Sequence, residues 1–162
     1  MPTLILDSDF LSSFLKIDRC DLIKSLYQVK EAFIPTAVHR EIAQTDLLTS
    51  LLQTRWISVL TEKPSSDQVP NQEPTWQALG AGEQACILVA CTLPDVILLM
   101  NDNKARRVAQ SLGVTVINIP AFLMACKMAG LVSPPEMSSI IKDLKAEDYY
   151  AFKPEVRDLL LE

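Results

Sequence analysis

The stretch Asp95–Ala109, DVILLMNDNKARRVA, decides the fold. Its apolar run Val96-Ile97-Leu98-Leu99-Met100 has no polar alternation, and Pro94 and the cluster Asn101-Asp102-Asn103 bound it. A short, branched-rich run of this kind predicts a strand buried on both faces, as in a parallel sheet. Beyond it Ala105, Val108, Ala109 and Leu112 recur at helical spacing, and Gly113 closes the pattern. Asp102 therefore stands where a buried strand hands over to a helix. In open parallel sheets the crevice beyond the carboxyl ends of the strands is the usual ligand site. Aspartate is also a good helix cap, so on this stretch alone both readings stay open.

The same junction recurs at the start of the chain. Leu4-Ile5-Leu6 reads as a strand ending on Asp7-Ser8-Asp9, and Phe10, Leu11, Phe14 and Leu15 follow at helical spacing. A second helix is expected over Asp21–Tyr27, then a strand over Ala32-Phe33-Ile34, with Pro35 starting a helix. In that helix Val38 and Ile42 share the core face and Glu41 lies beside their stripe. Leu47–Leu52 reads as a further helix and Trp56–Leu60 as a strand. Thr61–Pro74, rich in Pro, Ser, Gln and Glu, reads as a loop.

Gly80-Ala81-Gly82-Glu83 leads into Ala85–Cys91, whose almost wholly apolar composition predicts a buried helix. Glu83 falls in its first turn, where the helix dipole favours a carboxylate. After the focal strand and helix, Val114–Ile117 predicts another strand and Pro120–Ala129 a helix closed by Gly130. Helices around Glu136–Leu144 and over Glu155–Leu161 complete the chain. Strands separated by helices predict an α/β fold, with helices covering a parallel sheet of about five strands.

With 162 residues, 49% apolar and 22% charged, the chain suits one compact domain. No apolar stretch is long enough to span a bilayer and no leader-like segment precedes the first strand, so a soluble, cytoplasmic protein without membrane contacts is expected. A formal charge of −5 argues against a broad basic surface for non-specific nucleic-acid binding. An acidic site that meets phosphate through metal ions is compatible with that charge. Cys20, Cys86, Cys91 and Cys126 have no C-x-x-C spacing, and the chain has a single histidine, His39. Zinc would need closer pairs, so the cysteines read as buried reduced thiols and His39 as a surface helix residue. There is no P-loop, G-x-G-x-x-G or G-x-S-x-G.

Asp7 and Asp102 follow buried strands, Glu83 opens a buried helix, and Glu41 flanks a core-facing stripe. If the first and fourth strands are neighbours, Asp7 and Asp102 converge at one sheet edge. Carboxylates gathered there repel unless a cation or a proton neutralises them. Oxygen ligands without His or Cys suit Mg2+ or Mn2+, ions that clamp phosphate oxygens.

Four segments in order, LILDSDFL, IPTAVHREI, LGAGEQACILVA and LLMNDNKARRVAQSLGVTVI, give the chain its likeness to a known family. It resembles the PIN-domain family of metal-dependent ribonucleases, particularly the branch similar to toxins of toxin–antitoxin pairs. The resemblance covers about residues 3–130, and the AGLV turn with its following helices is similar to that branch too. It implies a three-layer α/β/α domain over residues 1–162, with a core over 1–130 and a helical extension over 131–162.

It also implies metal-binding, catalytic carboxylates at Asp7, Glu41, Glu83 and Asp102, together holding Mg2+ or Mn2+. An activated water would hydrolyse an RNA phosphodiester to a 5′-phosphate and a 3′-hydroxyl. An antitoxin and a second copy of the chain are its implied partners. Three positions depart from the family. Asp9 replaces a more usual Ser or Asn and reads as an extra, supporting acid. Asn101 replaces an acid beside Asp102, and Asn118-Ile119 replaces a Gly-Thr.

Arg106 lies one helical turn after Asp102, placed to orient that carboxylate, to touch a phosphate or to form a structural ion pair. Lys104, Arg107, Arg40 and Lys127 read as solvated charges. Two rivals remain at this level. Asp7-Ser8-Asp9 also looks like the D-x-D of haloacid-dehalogenase-type phosphatases, although Leu11 replaces their usual threonine. A PIN-like fold that has lost its activity would serve as a binding module.

Overall fold

The computed structural model describes residues 1–61 and 73–162. Five parallel strands, β1 (Thr3–Leu6), β2 (Ala32–Pro35), β3 (Ile57–Leu60), β4 (Val96–Leu99) and β5 (Thr115–Ile117), form one sheet in the order β3-β2-β1-β4-β5. Ten helices alternate with them among the described residues: α1 (Ser8–Lys16), α2 (Asp21–Tyr27), α3 (Thr36–Ala43), α4 (Leu48–Gln53), α5 (Pro74–Gln77), α6 (Ala81–Thr92), α7 (Asn103–Ser111), α8 (Ile119–Met128), α9 (Pro134–Asp148) and α10 (Pro154–Leu161). The result is a three-layer α/β/α architecture with a central five-stranded parallel sheet.

Strand β1 is central because both its faces are covered: Leu4, Ile5 and Leu6 are wholly buried. Its partner β4 is buried toward its end, at Leu98 and Leu99, and Met100 follows in the same state. The register pairs Leu6 with Leu99, and the Asp7 amide donates to the Leu99 carbonyl at 2.9 Å. The two strands therefore end level, and the turns carrying Asp7 and Asp102 leave the sheet side by side.

Helix α6 packs on β2, β1 and β4 and against α3. Its buried face is Gly82, Cys86, Ile87, Val89 and Ala90, as the apolar composition demands. A second packing centre is aromatic. Phe122 of α8 meets Phe14 at 5.1 Å and Phe10 at 5.5 Å, both edge-on, and stacks near Tyr27 at 6.2 Å. It ties α1, α2 and α8 together.

Several sequence expectations change. Pro35 ends β2, where it pairs with Leu60, and caps α3 from an extended conformation, so the helix starts at Thr36. A cap residue keeps non-helical angles, and proline accepts them readily. Of the loop expected over Thr61–Pro74, residues 62–72 lie outside the described residues, whereas Pro74 is the first residue of α5. Buried Trp76 and Leu79 anchor that short helix.

His39 is half-buried rather than at the surface, beside a cavity that Ile34, Leu51 and Ile57 also line. Lys127 is not a free solvated charge, since its ammonium donates to the Leu159 carbonyl at 2.7 Å and pins α10 to α8. Among the four cysteines all thiols are free, and Cys91 is only half-buried.

Phe122 is wholly buried at the meeting point of three other rings. Phe122→Ala should cost about 3–5 kcal/mol of folding stability by urea denaturation. A loss below about 1 kcal/mol would show that α8 does not depend on this contact.

Candidate metal centre

The site is built where two buried strands stop. Asp7 follows β1 in an extended conformation and serves as the N-cap position of α1, so its side chain stays at the carboxyl edge of the sheet. It is 1% exposed. Burying an ionised carboxylate is costly unless hydrogen bonds or opposite charge compensate it. Compensation here is thin. The Ser8 amide bonds the carboxylate, and the Cys86 thiol reaches Oδ1 only at 3.8 Å. Oδ2 is buried with no partner among the described residues. Burial first, then the charge of Asp9, pushes the Asp7 carboxyl up to about 7, with Glu83 and Glu41 adding to the effect.

Asp9, in the first turn of α1, and Glu83, in the first turn of α6, complete a tight group with Asp7. One carboxylate oxygen from each of the three lies within 4.8 Å of the others. Glu83 also does the structural work expected of its position, because its Oε2 accepts from the Gly80 amide at 3.0 Å. Desolvation raises its carboxyl, the Gly80 bond opposes that, and Asp102, Asp9 and Glu41 raise it further. Asp9 is raised by partial desolvation and by the charges of Glu41, Asp102 and Asp148.

Glu41 and Asp102 flank this trio. Glu41 accepts from the Ser8 hydroxyl and, at 3.0 Å, from the Gly82 amide. A Cβ at 82 would fall 2.5 Å from Glu41 Oε1, so any larger residue there would displace the Glu41 carboxylate from its present position. That close approach of α6 to α3 is what brings Glu41 and Glu83 to one place. Asp102 caps α7 through Oδ1, which accepts from the Ala105 amide at 2.9 Å. The cap holds one oxygen, and the Asp102 charge raises the carboxyls of Asp9 and Glu83.

The supporting residues sort differently from the sequence expectation. Asp9, itself exposed, brings a carboxylate oxygen within 4.8 Å of those of Asp7 and Glu83. Asn101 is a clamp: its Oδ1 accepts from the Ile119 amide at 3.1 Å, and its side chain shares a hydrogen bond with the Tyr150 phenol. Arg106 makes no ion pair with Asp102. Its Nη1 donates to Asn103 Oδ1 at 3.0 Å, and its Nε is buried without a partner among the described residues.

Asp148, which no sequence motif marks, closes the far side by accepting from the Ser13 hydroxyl and from Lys16 at 2.7 Å. That pairing occupies Lys16. Among the described residues no cation bridges Asp7, Asp9, Glu41, Glu83 or Asp102. An all-oxygen donor set, an unpartnered buried carboxylate oxygen and like charge that Lys16 relieves only in part, at Asp9, fit a divalent hard cation.

A family model described as a PIN domain matches residues 3–162, and the chain belongs to the PIN-domain family. The match runs through α9 and α10 to the last residue. PIN domains are generally nucleases that act on nucleic acids and typically bind divalent metal ions. No curated protein matches the chain. Among the described residues no helix is long and apolar enough to cross a membrane.

Asp7 makes the metal-free protein sensitive to pH in a defined direction. Its carboxyl is at about 7 when folded against 3.8 for the free side chain, so folding takes up a proton between those values. The Asp7 contribution is fully present below the lower value and is lost as pH rises through the upper one. In chelator, Asp7→Asn should therefore melt several degrees above the parent at pH 8, with the gap closing toward pH 4. A variant no more stable than the parent at pH 8 would contradict this account of Asp7.

Proposed function

We propose that this chain is a Mg2+- or Mn2+-dependent endoribonuclease that hydrolyses RNA phosphodiester bonds. The observation that carries the reading is Asp7: a buried carboxylate, raised by like charges, with one oxygen unpartnered. Asp7, Glu41, Glu83 and Asp102 would hold the cation, with Asp9 beside Asp7 and Glu83. A divalent ion bound there supplies Lewis-acid polarisation of a phosphoryl oxygen and lowers the pKa of a water.

The chain's own groups do the positioning. The Gly82 amide and the Ser8 hydroxyl fix Glu41, the Gly80 amide fixes Glu83, and the Ala105 amide fixes Asp102. Each of these carboxylates thus enters the site with its rotamer already restrained, which reduces the ordering cost of binding. The net negative charge of the chain does not oppose RNA binding locally once the acidic group is neutralised.

In this reading residues 1–162 act as one domain, with the core over 1–130 and the extension over 131–162 packed on α1 and α8. Toxin-like partners, an antitoxin and a second copy of the chain, and a cytoplasmic setting follow from the sequence resemblance. The inactive-module alternative leaned on Asn101, but that residue is occupied in holding α8 and Tyr150. The phosphatase alternative has no support from the family match.

Asp7→Asn or Asp102→Asn should reduce Mn2+-dependent cleavage of single-stranded RNA by about a hundred- to a thousandfold, an effect of the size seen when a charge-stabilising catalytic group is removed. Mn2+ should also raise the Tm of the parent and not that of Asp7→Asn. A variant that cuts RNA as fast as the parent, or an Mn2+ shift shared by both, would reject the assignment.

A further inference from the structure

Beside the acidic group lies a cavity of about 330 Å3 with a different chemistry. It is lined by the asparagines Asn101, Asn103 and Asn118 and by Tyr150, Phe152 and Lys153, and no lining residue is acidic. Asn101 and Tyr150 also line a second cavity, of about 530 Å3, which reaches Asp9 and Asp148. The two cavities thus share Asn101 and Tyr150 as a common wall, and the second carries Asp9 of the acidic trio on its lining.

The orientation of each asparagine is fixed by a donor. Asn118 Oδ1 accepts from the Ala121 amide at 3.0 Å, Asn101 Oδ1 from the Ile119 amide and Asn103 Oδ1 from Arg106 Nη1. Because the oxygens are committed, the amino groups of Asn103 and Asn118 are what remain. Neither has an acceptor among the described residues, and Lys153 has no ion-pair partner there. The apolar side is a pair of rings, Tyr150 and Phe152, 4.9 Å apart and nearly perpendicular. They are carried there by the turn after α9, where Tyr149 adopts a left-handed conformation at φ 53° and Tyr150 bonds back to the Leu144 carbonyl.

We propose that this cavity is a base pocket that takes one nucleotide of the substrate strand and favours uracil or guanine over adenine or cytosine. The proposal rests on the nuclease reading for its substrate and on the cavity's own lining for its selectivity. Proteins read single-stranded RNA by stacking splayed bases on aromatic side chains and hydrogen-bonding their edges. Amino donors and an ammonium match oxo groups such as uracil O4 or guanine O6, and a ring nitrogen acceptor such as guanine N7. The exocyclic amino groups of adenine and cytosine would face donors with donors and lose hydrogen bonds to water without replacement. The volume suits a base with part of its sugar.

The test is binding of uridylate, adenylate and cytidylate hexamers to the Asp7→Asn chain by fluorescence anisotropy, with cleavage by the unmutated chain in Mn2+ measured separately. The uridylate hexamer should bind about tenfold tighter than the other two, the size of one well-placed hydrogen-bonding contact. Asn118→Asp keeps the acceptor for Ala121 and removes the donor, so it should erase that ratio. Phe152→Leu should weaken all three hexamers about tenfold through lost stacking.

Equal affinities, a ratio unchanged by Asn118→Asp, affinities unchanged by Phe152→Leu, or no binding at all would overturn the pocket. RNA cleavage without base preference would fail the pocket and leave the nuclease reading standing. Uridylate preference without cleavage would do the reverse.

Discussion

The interaction on which this structure turns is the one Asp7 lacks. A carboxylate at the end of the central strand is removed from water, receives little hydrogen bonding, and has acidic neighbours in place of cations. Such an arrangement weakens the fold that contains it, and it persists because the surrounding elements over-determine it. β1 is locked between β2 and β4, and α6 lies against it through a glycine that admits Glu41. The sheet edge is thus a rigid frame holding like charges together, a frame that favours any divalent cation entering it.

Two of the acids are also ordinary helix caps. Asp102 holds the first turn of α7, and Glu83 bonds back to Gly80 at the start of α6. Capping and ligation do not compete, because a carboxylate has lone pairs for both. A cap bond freezes the side chain and points its remaining oxygen. A similar pattern runs through the asparagines next door: Asn118 Oδ1 caps α8 and Asn103 Oδ1 accepts from Arg106, and both residues line a cavity.

Much of the fold was legible because its signals are local. Unbroken apolar runs at Leu4–Leu6 and Val96–Met100 marked buried parallel strands, and the family resemblance agrees with the observed architecture. The side-by-side placement of Asp7 and Asp102 needed only the neighbouring of β1 and β4, which the sheet order provides. What the sequence could not carry was distance between segments. Nothing in SDF said that an Asp9 oxygen would lie within 4.8 Å of Asp7 and Glu83, and nothing in AED brought Asp148 back to Ser13 and Lys16.

Proline misled twice, at Pro35 and Pro74, since the residue serves strand ends, caps and first helical positions alike. For Arg106, helical spacing gave a partner one turn back, but Asp102 was already occupied by the cap and the guanidinium turned to Asn103.

In the proposed reading the acidic group would take a cation and the asparagine cavity a base, and Asn101 and Tyr150 line both cavities beside them. The most direct measurement is anomalous diffraction from crystals soaked in Mn2+. The account predicts a peak in contact with the carboxylates of Asp7 and Glu83. A well-ordered site with no peak there, or a peak elsewhere on the molecule alone, would contradict it.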